Sequence, residues 1–252
     1  LKSQNIEIAE YDALLLYSGG DARRLLNALE LIANYREPGV QIRVTNDFVR
    51  ELVQQNSALY DKGGEAHYDV ISAFIKSMRG SDPNAAVYWL ARMLDGGEDI
   101  EFIARRMVIL ASEDVGLANP NALLLATTTM DAIRMIGMPE ARIILSQCAI
   151  YLATSPKSNA SYRAINTALD LVKQTGSLPV PLHLRNAPTK LMKELNYGSG
   201  YQYAHEFEGN FVQQDNLPKD IDGKVLYEPG ANPAEEKVRQ KLKADWKGKY
   251  KY

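Results

Sequence analysis

The sequence has few of the residues that build covalent cross-links or metal centres. It contains one cysteine, Cys148, and three histidines at unrelated spacings. A single cysteine excludes an internal disulfide framework and a cysteine-based zinc cluster. No apolar run approaches the roughly 18 to 20 residues that cross a bilayer, and the first ten residues lack the pattern of a signal peptide. We therefore expect no metal site, no membrane partner and a cytoplasmic location.

An overall charge of one sign is also missing. The formal net charge is −2, which gives no global attraction to nucleic acid or anionic lipid. Basic residues instead concentrate at the end of the chain, where residues 237–252 contain seven basic side chains and one acidic side chain, interleaved with aromatic rings. This combination is typical of contact with single-stranded nucleic acid, and a solvated, frayed end is the alternative. The candidate DNA-binding residues are Lys241, Lys243, Trp246, Lys247, Lys249 and Lys251.

Strand signals are scarce, and helical periodicity dominates. Apolar residues recur at helical spacing, as in Leu25, Leu29 and Ile32. The segment Ser81-Asp82-Pro83 is typical of a helix start, and Pro139 can open a helix that runs to about residue 153. The pattern predicts further helices near 46–55, 187–196 and 233–246, with short strands only at 40–44 and 224–227. We expect an all-α protein with a looser C-terminal third.

A glycine-containing turn at residues 61–64 is the best candidate for a domain boundary. Before it, residues 1–62 predict a unit of about three helices, which is small for independent stability. After it, residues 63–252 predict a larger helical domain. Within that domain, residues 122–126 and 142–145 are apolar on more than one helix face, which indicates either deep burial or an interface.

Two arginines lie close to a predicted helix N-terminus in the string Ser18-Gly19-Gly20-Asp21-Ala22-Arg23-Arg24. Cations there face the positive end of the helix dipole, which costs about 0.3–1 kcal/mol each. A bound anion would reverse that cost, because free N–H groups and an arginine together bind phosphate well. The alternative is that Asp21 offsets the charge and that both arginines are solvated.

This string, continued by Leu25-Leu26-Asn27-Ala28-Leu29-Glu30, resembles the sensor-2 helix in the lid of clamp-loader-type AAA+ ATPases. An ordered set of further strings resembles the bacterial RarA/MgsA family, the replication-associated recombination ATPases, whose eukaryotic relatives are the Werner-helicase-interacting proteins. The strings lie at residues 67–77, 80–86, 88–94, 105–106, 111–120 and 197–205. The resemblance covers nearly the whole chain.

The resemblance implies that residues 1–62 are the C-terminal part of the AAA+ lid and that residues 63–252 form a helical oligomerisation domain like the collar of a clamp loader. It places the sensor-2 arginine, which reaches the γ-phosphate of ATP, at Arg23. The sequence has no Gly-x-x-x-x-Gly-Lys-Ser/Thr loop and no apolar strand that ends in paired acids. We therefore expect no catalytic residue and no cofactor in this chain, and ATP and Mg²⁺ in a parent ATPase whose core lies upstream.

The function that the resemblance implies is that of a DNA-dependent ATPase at stalled forks, in DNA replication, recombination and repair. It also implies a homotetramer, DNA and single-strand-binding protein as partners, and a nucleoid-associated place in the cytoplasm. The alternative is a freestanding helical adaptor or scaffold with no nucleotide chemistry.

Two adjacent carboxylates, Glu113 and Asp114, suggest a metal or an acid/base site. Neighbouring residues on a helix point about 100° apart, so the two do not converge on one ion without an intervening turn. We expect them instead to brace the turn before Asn119, paired with Arg105 or Arg106.

Overall fold

The computed structural model describes residues 6–18, 22–35, 42–56 and 65–252. Contacts divide the chain into two compact units, Leu1–Ser72 with Ala91–Asp99 and Ala73–Leu90 with Ile100–Tyr252. The described residues are mainly helical, as the sequence predicts, and none of their helices is long and apolar enough to span a bilayer. The helices are α1 (Asp12–Ser18), α2 (Ala22–Asn34), α3 (Asn46–Asn56), α4 (Glu65–Arg79), α5 (Pro83–Asp95), α6 (Ile100–Leu110), α7 (Asn121–Ile136), α8 (Ala141–Thr154), α9 (Ala160–Thr175), α10 (Lys190–Glu194) and α11 (Pro233–Trp246).

In the first unit, two short strands hold the starts of α1 and α3 side by side. Strands β1 (Ile6–Ile8) and β2 (Ile42–Val44) pair in parallel, and β1 was not predicted from the sequence. The side chain of Asn46 accepts a hydrogen bond from Ala13 N at 2.9 Å, and Asn46 N donates to Glu10 Oε2 at 2.7 Å. The core beneath is aliphatic and consists of Ile6, Ala13, Leu14, Ala28, Ile32, Val44, Val49 and Leu52.

In the second unit, α7 packs against both α6 and α8. Small side chains on the facing surfaces allow close approach, with Ala122 and Ala126 of α7 and Ala141 and Ala149 of α8 all buried. The predicted helix start at Asp82 is confirmed, because its carboxylate accepts a hydrogen bond from Ala85 N at 2.9 Å. Helix α9 contacts the turns at residues 111–118, which connect α6 to α7, and α11 contacts residues 116–118.

A π-helical turn over Ala111–Val115 follows α6 and carries the two adjacent carboxylates. Asp114 Oδ1 accepts from Arg79 Nε at 2.7 Å, and Glu113 lies 3.7 Å from the same guanidinium. The expected bracing role is confirmed, but both expected partners are wrong. Arg105 lies 3.8 Å from Glu101, one turn earlier in α6, and Arg106 Nε is buried with no hydrogen-bond partner in the part of the chain that the structure describes. Arg79 ends a different helix, α4, so helix spacing could not reveal the pair.

The same turn needs a glycine at its end. Gly116 has φ +50°, and a Cβ there would lie 2.6 Å from the backbone oxygen of Ser158. Ser158 N in turn donates to Asp114 O at 2.7 Å. The π-helical turn and the segment before α9 therefore meet backbone to backbone, which only a residue without a side chain permits.

The C-terminal third contains two departures from the sequence-based expectation. Residues 224–227, predicted as a strand, have no strand pairing among the described residues; Tyr227 instead directs its hydroxyl to Glu235 at 3.2 Å. The helix predicted at 187–196 is only the five-residue α10. Thr189 starts it as an N-cap, and Asn196 lies beyond it at φ +61°. By contrast, α11 has the predicted bounds.

Candidate nucleic-acid interface

Arg23, the predicted sensor-2 arginine, lies in the first turn of α2. Its side chain, the glycine pair at 19–20 and Asp21 lie outside the described residues, as does the predicted boundary at 61–64. The position at the start of a helix is nevertheless the one that the phosphate-binding hypothesis requires. The hypothesis stays a prediction.

The basic tail consists of α11 and the six residues that follow it. Lys243, Lys247 and Lys251 are exposed. Lys241 is also exposed and forms an ion pair with Asp245, one turn later in the helix. These four side chains put positive charge at the surface, where phosphate groups can reach it.

The other two candidates, Lys249 and Trp246, lie in a different environment. The ammonium of Lys249 bonds to the carboxylates of Asp215 and Asp222, the latter at 2.8 Å, and its side chain is only 9% exposed. Trp246 packs edge-on against Phe211 at 5.4 Å and Tyr250 at 5.1 Å between ring centroids. No sequence pattern predicts the two aspartates as partners of Lys249, because they lie 34 and 27 residues before it, in segments without helical periodicity.

A buried carboxylate anchors the start of α11. Glu235 is fully buried, and its oxygens accept hydrogen bonds from Tyr227 Oη at 3.2 Å and from Asn232 Nδ2 at 2.6 Å. The Ser158 hydroxyl and Gly230 N–H also lie near the carboxylate and favour its ionised form. Burial raises the pKa of Glu235, but the four donor groups around the carboxylate lower the pKa by more, so the net pKa is below the ordinary value. A Cβ on Gly230 would lie 2.7 Å from Glu235 Oε2, so a side chain at this position would displace the carboxylate.

Glu235 was not predicted as a functional residue, although the sequence contains a signal for it. Asn232 caps α11 by accepting from Glu235 N at 3.0 Å, and the glutamate three residues later completes a capping box. That pattern predicts a local hydrogen bond. It does not predict that the glutamate is buried against Ser158, some 80 positions earlier in the sequence.

Helix α9 carries apolar side chains on two faces. Its inward face consists largely of small residues, such as the buried Ala160 and the half-buried Ala164 and Ala168. Its outward face is a stripe of large apolar side chains that are 47–61% exposed: Tyr162, Ile165, Leu169 and Val172. We call this set the α9 stripe. Its spacing of three, four and three residues is that of a helix that packs against another helix along its length.

Comparison with known sequence families gives two matches. The family described as "MgsA AAA+ ATPase C terminal" matches residues 80–246. The chain belongs to the MgsA family of AAA+ ATPases. A second family, "AAA C-terminal domain", matches residues 2–79, so the two matches together span almost the whole chain.

Relatives in the MgsA family agree with this assignment. The chain is 46% identical over 231 residues to the replication-associated recombination protein A of Coxiella burnetii, covering 91% of this chain and 52% of that protein. It is 43% identical to the Haemophilus influenzae protein of the same name, covering 90% and 51%, and 41% identical to the Escherichia coli protein, covering 88% and 51%. The chain thus spans about half the length of these curated relatives.

The name of the family implies ATP and its magnesium ion, and the residues of this chain do not fit either group. The sequence has no phosphate-binding loop with a following lysine. Within residues 6–18, 22–35, 42–56 and 65–252, no three carboxylate, histidine or cysteine side chains cluster as metal ligands. The chain alone therefore gives no geometry for a hydrolysis step, and Arg23 is its one candidate for a nucleotide contact.

Proposed function

We propose that this chain is the lid and C-terminal region of a DNA-dependent AAA+ ATPase that acts at stalled replication forks, with single-strand-binding protein as a partner. The observation that carries the proposal is the family match over residues 2–246, together with relatives named for replication-associated recombination. This role predicts that the protein is cytoplasmic and associated with the nucleoid. Within the assembly, the chain supplies a nucleotide-sensing arginine, a subunit interface and a basic surface for DNA.

For the nucleotide-sensing role, we expect Arg23→Ala to lower ATP turnover in the full-length protein by about 10-fold or more, because a charge-assisted contact to a developing phosphate charge is lost. Steady-state hydrolysis at saturating ATP measures this. Arg24→Ala, which changes the neighbouring residue in the same way, is the matched control.

The isolated chain should neither hydrolyse ATP nor bind it, since one arginine does not replace a phosphate loop. Micromolar ATP binding to the chain by calorimetry would contradict this. Unchanged turnover together with unchanged nucleotide affinity in Arg23→Ala would contradict the sensor assignment.

For the subunit interface, we propose that four copies associate and that the α9 stripe contributes to the contact. An exposed heptad-like stripe is complementary to a second helix with the same spacing, and another copy of the chain presents such a helix. Leu123, Leu124 and Ile143 are also exposed, so apolar side chains in the segments predicted to be buried or at an interface do reach the surface.

For the DNA surface, the support is the exposed charge of Lys243, Lys247 and Lys251. Each phosphate contact made by one of these ammonium groups releases counterions from single-stranded DNA, so binding should weaken with salt. Four copies would present four tails, and weak contacts at several tails would add through their effective concentration. Asp245, paired with Lys241, lowers the net contribution of that lysine.

A further inference from the structure

The end of the chain folds back on itself directly after α11. Lys247 and Gly248 have positive φ angles of 41° and 88°, and Lys249 N donates to Trp246 O at 2.8 Å. This left-handed turn reverses the direction of the backbone. The reversal directs the side chain of Lys249 toward Asp215 and Asp222 and not toward solvent.

The ammonium of Lys249 is enclosed on several sides. Besides its two carboxylate partners, it lies 5.5 Å from the ring centroid of Trp246 and 5.6 Å from that of Tyr250, distances at which a cation is attracted by an aromatic ring. The hydrogen bond from Lys249 lowers the pKa of Asp222, which keeps that carboxylate ionised. The charge of Lys249 is therefore neutralised within the chain.

We propose that Asp215 and Asp222 form a latch that competes with DNA phosphates for Lys249 and so restrains DNA binding by the tail. This inference rests on the proposed DNA role of the tail. Carboxylate and phosphate oxygens accept the same charge-assisted hydrogen bonds, so the ammonium can serve one set or the other. When Lys249 leaves the aspartates, the tail gains a phosphate contact, and the ring of Trp246 loses its cation and becomes available for stacking on a base.

The test compares two substitutions that change the charge equally. Asp222→Asn removes one latch carboxylate. Asp220→Asn removes an exposed carboxylate two residues earlier that does not bond to Lys249. Binding of an oligothymidylate by the full chain is measured by fluorescence anisotropy at several salt concentrations. Asp222→Asn should bind about three- to tenfold more tightly at low salt, and its salt dependence should steepen by about 0.7 in log–log slope for one added phosphate contact.

Two further variants separate failure of the latch from failure of the proposed DNA role. The first variant keeps Asp215 and Asp222 and replaces Lys243, Lys247 and Lys251 by glutamine. It tests whether the tail binds DNA at all. Adding Lys249→Gln to Asp222→Asn should remove the gain. An equal gain in Asp220→Asn, or a gain that survives Lys249→Gln, would overturn the latch and leave the DNA role intact. If the triple-lysine variant binds as the wild type does, or if no variant binds at low salt, both proposals are wrong.

A second readout reports the latch directly. With Trp89→Phe, Trp246 becomes the only tryptophan in the chain. In this background, Asp222→Asn should shift the emission of Trp246 before DNA is added. DNA should then quench that emission more strongly than it does in the chain with Trp89→Phe alone. Emission identical to that of Asp220→Asn in both states would overturn the proposal.

Discussion

Glu235→Gln is expected to lower the free energy of unfolding of the C-terminal third by about 2 to 3 kcal/mol. The carboxylate is fully buried and accepts hydrogen bonds from Tyr227 Oη and Asn232 Nδ2, and the Ser158 hydroxyl and Gly230 N–H also favour its ionised form. An amide of the same shape keeps one acceptor oxygen and turns an NH₂ group toward donors such as Asn232 Nδ2, which lies 2.6 Å from Oε2. The decrease in the free energy of unfolding is measured by urea titration in a Trp89→Phe background. Trp246, which ends α11, is then the fluorescent probe.

The neighbouring glutamate provides a matched control for this substitution. Glu236 is exposed and pairs with Arg239 at 3.2 Å, so Glu236→Gln should cost at most about 1 kcal/mol. The pH dependence gives an independent check. Because the folded-state pKa of Glu235 is below its ordinary value of 4.5, its contribution is present above that value and is lost as the pH falls through the folded-state pKa. Equal costs for the two variants would contradict the anchoring role.

Leu169→Glu is expected to convert the proposed assembly of four copies into single chains. Leu169 lies within the α9 stripe, and a carboxylate there would be desolvated against the apolar surface of a second copy. Light scattering at micromolar concentration should give about four times 28.1 kDa for the unchanged chain and about 28.1 kDa for the variant. Helix content by circular dichroism should be equal in both, because Leu169 is exposed within its own subunit.

Gln174→Glu supplies the control on the same helix. Gln174 is exposed and lies five residues from Leu169, about 140° around the helix. Its substitution should leave the mass at four chains. A single-chain mass for the unchanged protein would refute self-association, and a four-chain mass for Leu169→Glu would show that the copies meet elsewhere.

Local signals in the sequence predict most helix positions. Asp82 with Pro83, and Asn232 with Pro233, mark helix starts because their side chains cap backbone N–H groups within three residues. The cause of helix termination after Trp246 is equally local, since the αL conformation of Lys247 ends α11. Interactions within one turn of a helix depend on neighbours in sequence, so a pattern of residues is enough to find them.

The features that shape the candidate site depend on contacts between distant segments. The sequence presents Glu235 and Glu236 as equivalent charges on a solvated helix, and only the approach of Ser158 and Gly230 makes one of them a buried anchor. In the sequence, Lys249 likewise resembles Lys247 and Lys251, and only the folded structure places Asp215 and Asp222 beside it. Tertiary packing decides which of several like-charged residues is neutralised, and the periodicity of the sequence does not encode that packing.

The central claim is that this chain works within a DNA-dependent ATPase, and ATP hydrolysis by the full-length protein with and without forked DNA tests it most directly. We predict that a fork with a single-stranded gap stimulates hydrolysis and that glutamine at Lys243, Lys247 and Lys251 reduces the stimulation while leaving the DNA-free rate unchanged. Hydrolysis that no duplex, single-stranded or forked DNA alters would contradict the account.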